Sequence, residues 1–506
     1  MTKSKHCNEC CEDPLEQLVY IKFKYRKTCD FQEGNLIRLT PPAYGDGINT
    51  PAGSGRPSAR LISNLIFDQK HSIPNSKRAS NMFWLWGQFV DHAITLVKDG
   101  DSESFDIPVP TGDPHFDPQS TGTKVIPFHR SQFNPTTGTS TSNPRLQINS
   151  LTPFLDADSV YGVDCKRNHY IRLYKDGLLK TSANDMMPIT DFSLDNAMKH
   201  ISLFLGGDVR ANEHLGLIAM HCLWVREHNH WAKVIKELNC HLCDEEIYQR
   251  ARIMVEAEIQ HITFNEFLPL LLGKPLPCYQ GYCSHIDPQV SNEFSTAAYR
   301  LGHSLLSSKI YGKYKLRLKD TYFVPHMLCN SYKGLDIDKI LKLFSESLAQ
   351  ELDAKVIDDV RNFLFGQPGQ GGLDLVSLNI QRGRDHGLPD YETIRQALGT
   401  PDALSQESKD LLINVYGNLN DVDLWAGGLL EEPKHCSMLG PLFHKIVKEQ
   451  FEKIRDGDKF WYENRLPCAL LNTVKETKLS DILKRNCGVD HIHEYVMIVP
   501  HKHHCC

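Results

Sequence analysis

No stretch of this chain approaches the ~18 uninterrupted apolar residues of a membrane-spanning helix, so a spanning segment is not expected. The opening also lacks the apolar core of a secretory leader: Met1 to Pro14 reads MTKSKHCNECCEDP, with charges and cysteines where that core would stand. A usable N-glycosylation sequon is missing too, because Pro135 sits between Asn134 and Thr136. These absences point to a chain outside a glycosylating secretory route, in a non-classical, bacterial-like or viral setting. Long basic runs are absent and the formal net charge is -6, which argues against nucleic acid or an anionic membrane as the main partner. Internal repeats and low-complexity tracts are absent, and strand patterns are short and few.

Cysteine is not scarce. The even count of 16 is compatible with disulfides. The terminal groups Cys7, Cys10, Cys11 and Cys505, Cys506, beside His501, His503 and His504, are a weak zinc signal without a matching second half. Cys278 and Cys283 flank a Tyr-Gln-Gly-Tyr turn and are spaced to pair. Neither pattern fixes the compartment.

Residues 1–18 read as a polar, Cys-containing tail, 19–495 as one large domain, and 496–506 as a His/Cys-rich tail. Two Pro/Gly-rich loops, 40–57 and 109–145, interrupt the domain without separating self-sufficient halves. Elsewhere helical spacing dominates. A proline-free apolar segment runs from Met82 to Val97 and stops at Lys98-Asp99-Gly100. A long helix follows Gly206-Gly207-Asp208, with Asp208 placed as its cap and Leu217, Met220, Trp224, Trp231, Ile235 and Leu238 on its apolar positions. Another runs from Asp244 to about Phe267 and ends before Pro269. The expected fold class is mainly α, with long irregular loops and few short strands.

Within the apolar segment Trp84–Val97, Gln88, Asp91 and His92 stand at i, i+3 and i+4 and share a helical face. A buried, unpaired carboxylate costs several kcal/mol, so Asp91 needs a partner or a chemical fate. A closed network of internal hydrogen bonds would satisfy this stripe by itself. Three further segments change the reading: Gly207-Asp208-Val209-Arg210-Ala211-Asn212-Glu213, Ala298-Tyr299-Arg300-Leu301-Gly302-His303, and Leu378-Asn379-Ile380-Gln381-Arg382. Each alone is ordinary, an ion pair, a helical histidine or a charged turn.

Together these segments resemble the animal-type haem peroxidases, in register from about Tyr25 to Val489 and including ITFNEFLPLLLG at 262–273 and RDGDKFWYEN at 455–464. The resemblance implies a single helical haem peroxidase domain. It would reduce hydrogen peroxide and oxidise halide, pseudohalide or phenolic donors through a ferryl intermediate. His303 would be the haem-iron ligand, with Asn379 accepting a hydrogen bond from its second nitrogen and Arg300 and Arg382 holding the propionates. On the opposite side His92 would move the peroxide proton, Arg210 would stabilise developing charge, and Gln88 would hold a water or halide. Asp91 and Glu213 match the carboxylates that esterify haem methyls in this family, which would remove both charges.

Two positions depart from the family pattern. His214 follows Glu213 where some members carry a sulfonium-forming methionine, so that link and efficient chloride oxidation are not expected. Ala93 replaces a calcium-binding aspartate directly after His92, while Thr152, the Phe154 carbonyl and Asp156 are kept and Asp158 replaces a serine. Asp158 can return the lost carboxylate to a calcium site, or the loop can be acidic without metal. Two rival functions stay in view. A fatty-acid dioxygenase of the same superfamily would need a tyrosine three residues before His303, where Arg300 stands; Tyr299 lies one residue further, about 100° away on a helix. A non-catalytic adhesion or scaffold protein on the same fold would have no need of His92, Arg210 and His303 together.

Overall fold

The computed structural model describes residues 13–20, 25, 33–190, 203–489 and 491–501. It is mainly α, with short helices, long ordered loops and, among the described residues, only two-stranded ladders. Four helices place the site. We label them α1 (Asn81–Ile94), α2 (Leu215–Leu238), α3 (Asp244–Ile262) and α4 (Leu375–Asp385).

Helix α1 is apolar on nearly every side and buried accordingly, with Phe83, Leu85, Trp86 and Phe89 all inaccessible to solvent. Trp86 and Phe89 pack on Trp224 of α2, the latter pair stacked with ring planes 10° apart. The helix ends sooner than its composition indicates. Thr95 turns extended, and Asn149 accepts from the Leu96 N–H while donating to the Ile94 carbonyl. Leu96 and Val97 therefore leave the helix, because Asn149 offers their backbone another partner.

Helix α2 also starts later than expected. Its N-cap is His214, whose side chain accepts from the Leu217 N–H, and not Asp208. Asp208 is drawn elsewhere, as described below. Helix α3 packs along α2 and is followed by a π turn (Thr263–Phe267), then by a helical turn (Leu268–Leu272) that contains Pro269. Pro269 does not stop the chain because it lies in the first turn of the new piece, where its missing N–H costs no bond. The stop comes at Gly273, at φ +78, where a β-carbon would lie 2.2 Å from the Cys436 carbonyl oxygen.

The packed body reaches into both segments read as tails: Pro14–Tyr20 is helical with Leu18 and Val19 buried, and Val496 and Met497 are in the core. The Pro/Gly-rich loops are tied by carboxylates that accept backbone N–H groups, Asp46 from Ile48, Asn49 and Thr50, and Asp117 from Thr121 and Gly122. Cys278 and Cys283 are both free thiols, and the Cys283 sulfur faces His285 instead. Cys165 is disulfide-bonded. The terminal cysteines, with His503 and His504, lie outside the described residues, and His501 is exposed. Among the described residues no group of three or more His, Cys, Asp or Glu is gathered for a metal ion. No described helix is long and apolar enough to cross a membrane.

Candidate active site

Helix α1 and the 3₁₀ segment Ala298–His303 both line a cavity of about 360 Å³. The cavity gathers Gln88, Asp91, His92, Arg210, Glu213, Arg300 and His303, residues separated by up to about two hundred positions in sequence. Beside Gly302 a β-carbon would meet nothing within 4 Å, so the backbone borders open space next to His303.

On the α1 side, His92 is buried and its Nδ1 lies 3.6 Å from Asp208. Arg210 reaches the same carboxylate in fork geometry, Nε to Oδ1 and Nη2 to Oδ2, each at 2.9 Å. The Arg210 backbone N–H also donates to Asp208. Burial alone would raise the Asp208 carboxyl, but the Arg210 charge and its hydrogen bonds outweigh it and hold it well below the usual carboxylate range. Burial and then the Arg210 charge push His92 well below its ordinary 6.5, against the pull of Asp208. The imidazole is therefore neutral at physiological pH. Asp208 was legible only as a helix cap; an Asp two residues before an Arg, folding back on that residue's N–H, is the local signal for its actual role.

Asp91 and Glu213 stand on either side of Arg210. The Asp91 Oδ2 lies 3.6 Å from Arg210 Nη1, and burial raises its carboxyl to about 6 against Arg210 and Arg300. Burial raises Glu213 further, to about 8, with Arg210 opposing. Gln88 donates from Nε2 to Glu213 Oε2 at 3.1 Å, and its Oε1 accepts from His214 Nε2 at 2.9 Å. His214 was noted in sequence only for what it replaces; here it belongs to the site.

On the Ala298–His303 segment, burial and then Arg300 lower His303 to about 3, so this imidazole is also neutral. Its Nδ1 meets Asn379 Nδ2 at 2.7 Å, while Asn379 Oδ1 accepts from Arg300 Nη1 at 3.0 Å. The partner is the one expected, but the direction is reversed, because Arg300 can only donate and so claims the amide oxygen. Burial, then the nearby Arg382, brings Arg300 down to about 10. Arg382 is itself bound to Asp99 at 2.6 Å, to the His129 carbonyl and to Ser131. Arg382 is not among the residues that line the cavity; only its charge reaches Arg300, which does line it.

Tyr299 is part of the cavity wall. Its segment is 3₁₀ and not α, so the 100° step no longer applies. The ring stacks on Phe294 (4.7 Å, 15°) and meets Phe451 edge-on. Three residues before His303 stands Arg300, as the sequence has it.

The remaining expected residues form a separate loop. Thr152 donates to Asp156 Oδ2 at 2.9 Å, Asp156 and Asp158 are buried, and the charge of the buried Arg252 acts on both. This loop touches the catalytic wall through Gly207, where a β-carbon would lie 2.5 Å from the Asp158 carbonyl oxygen.

The chain is similar to known proteins over most of its length. The family model described as animal haem peroxidase matches residues 29–497. Peroxinectin A of Dictyostelium discoideum is 34% identical over 479 residues, covering 89% of each chain. Eosinophil peroxidase of Homo sapiens is 32% identical, covering 90% of this chain and 72% of that protein. The chain spans about a third of larger relatives such as Drosophila melanogaster dual oxidase (30%) and peroxidasin (32%). Among solved structures, peroxidase A of Dictyostelium discoideum superposes with a TM-score of 0.84 at 31% identity, covering 94% of this chain and 98% of that one. Fatty acid alpha-dioxygenase of Arabidopsis thaliana shares the fold, with a TM-score of 0.75 at 18% identity. The chain belongs to the animal haem peroxidase family, and its enzymatic class is that of a peroxidase.

Proposed function

We propose that the cavity holds haem b between His303 and His92, and that the enzyme couples reduction of hydrogen peroxide to oxidation of bromide, iodide, thiocyanate or a phenol. The observation that carries this reading is two neutral imidazoles lining one cavity, on different elements, with a clamped guanidinium beside one of them. The residues fit the group. His303 would offer Nε2 once the ring proton sits on Nδ1, and Arg300 on the cavity wall, with the charge of Arg382 near it, suits a propionate. With Nε2 on iron, Nδ1 carries the proton, so Asn379 must turn its amide and Arg300 must exchange Asn379 Oδ1 for another acceptor, such as a propionate. Bound haem would supply the two-electron reduction of peroxide and the oxidising equivalents passed to the donor.

The protein's part follows from its side chains. His92, held neutral, accepts the proton from one peroxide oxygen and delivers it to the other as that oxygen departs. Arg210, fixed by Asp208, places positive charge where negative charge develops as the bond breaks. Because the sulfonium-forming position is His214, peroxide consumption should rise with bromide, iodide or thiocyanate, and robust hypochlorous acid production from chloride at neutral pH would contradict the reading.

Asp91 and Glu213 would form esters with haem methyl groups, peroxide supplying the oxidant. Burial already disfavours the charge of both carboxyls, so esterification would relieve that cost. After peroxide treatment, peptides containing Asp91 and Glu213 should carry haem mass, and acidified organic solvent should fail to extract the cofactor. Free extraction would remove this part of the proposal.

Thr152, the Phe154 carbonyl, Asp156 and Asp158 supply oxygen donors of the kind calcium takes. With Arg252 offsetting part of the charge, we propose a weak calcium site that braces the loop behind Gly207. Chelation should then lower the melting temperature by a few degrees and slow the peroxide step. An unchanged melt and no bound calcium would show an acidic loop without metal.

A further inference from the structure

We propose that His214 is a positioning residue that fixes the amide of Gln88 so that it shows a hydrogen-bond donor, and not an acceptor, to a small anion in the cavity. The inference rests on the haem peroxidase reading above.

His214 caps α2, and its Nδ1 accepts the Leu217 N–H. That nitrogen is therefore unprotonated and the ring proton lies on Nε2. Burial holds the ring neutral, with its pKa near 3, so no second proton disturbs this assignment. The ring is also confined. Trp84 packs against it at 5.6 Å, and the adjacent position is Gly216, where a β-carbon would come within 3.1 Å of His214 Cε1.

A fixed Nε2–H dictates the next partner. It donates to Gln88 Oε1, which places Gln88 Nε2 toward Glu213. The turned amide would set Nε2 against the imidazole N–H, donor against donor, and its oxygen against the Glu213 carboxyl. Of the two hydrogens on Gln88 Nε2, one serves Glu213, and the group lines the cavity. An ester at Glu213 would still accept this bond through its carbonyl oxygen. An anion gains from an N–H held in this way, whereas a neutral donor molecule gains little.

Two substitutions separate the two jobs of His214. In His214→Ser the short hydroxyl can still cap α2 but cannot reach Gln88; in His214→Gln the amide can reach Gln88 but caps poorly. Each protein, loaded with haem, would be titrated with sodium bromide and with sodium thiocyanate while the Soret band is followed, and its thermal melt recorded. The proposal expects His214→Ser to bind both anions about ten-fold more weakly. His214→Gln should stay within about two-fold of the wild type despite a lower melting temperature. Anion affinity that follows the melting temperature, or stays unchanged in His214→Ser, would overturn the role of His214 while leaving the peroxidase reading intact. A wild-type protein with a Soret band and phenol turnover but no anion response would also overturn it. A wild-type protein that takes up no haem would take both down.

Discussion

His303→Ala should remove the Soret signature of a histidine-ligated haem and abolish peroxidase turnover. The expected loss exceeds the roughly 10–100-fold that disturbing a ligand's outer partner costs, because the ligand itself is gone. His303 ends the 3₁₀ segment Ala298–His303, its ring is half-buried and neutral, and Asn379 of α4 holds one of its two nitrogens. Trp425, stacked on Phe67, packs near the same ring and keeps it from turning aside. Alanine removes the imidazole without touching that frame, so circular dichroism should be unchanged while the absorbance spectrum is not. A variant that kept a wild-type Soret band would place the ligand elsewhere.

His92→Leu should leave haem uptake intact and slow the peroxide step by roughly 10²–10⁴-fold, the range for losing a placed acid–base group. Stopped-flow mixing with peroxide separates this step from donor oxidation. The pH profile carries further information. His92 works as the neutral base, and burial and Arg210 push its pKa well below 6.5. The rate should therefore be flat through neutrality and fall only in acid, as the imidazole gains a proton. In Arg210→Leu the cation that lowers His92 is lost and Asp208 is left to raise it. The acid limb should then move to higher pH, beyond the general fall in rate. A limb that stayed in place would mean that Arg210 does not govern the protonation of His92.

Much of this site was legible because its residues sit on periodic segments. Gln88, Asp91 and His92 share a face of one helix, and a helix preserves such spacing whatever packs against it. Individual partners were less legible, since they depend on which backbone groups are satisfied nearby. Asp208 looks like a cap until Arg210 is seen to claim it, and His214 then takes over the cap. Asn379 was the expected partner of His303, but its direction turned on Arg300, a competitor seventy-nine positions away. Helix ends failed for the same reason. Asn149 ends α1 from another segment, and a π turn carries the chain past Pro269. The Tyr299 estimate assumed α geometry where the segment is 3₁₀, and the residue faces the cavity after all.

Loading the protein with haem b, recording its Soret band and measuring peroxide-dependent oxidation of a simple phenol tests the peroxidase function at its root. A Soret band typical of histidine ligation is expected, with turnover that stops when peroxide is omitted. A protein that takes up no haem, or one that binds haem and leaves the phenol unoxidised in the presence of peroxide, would contradict that function.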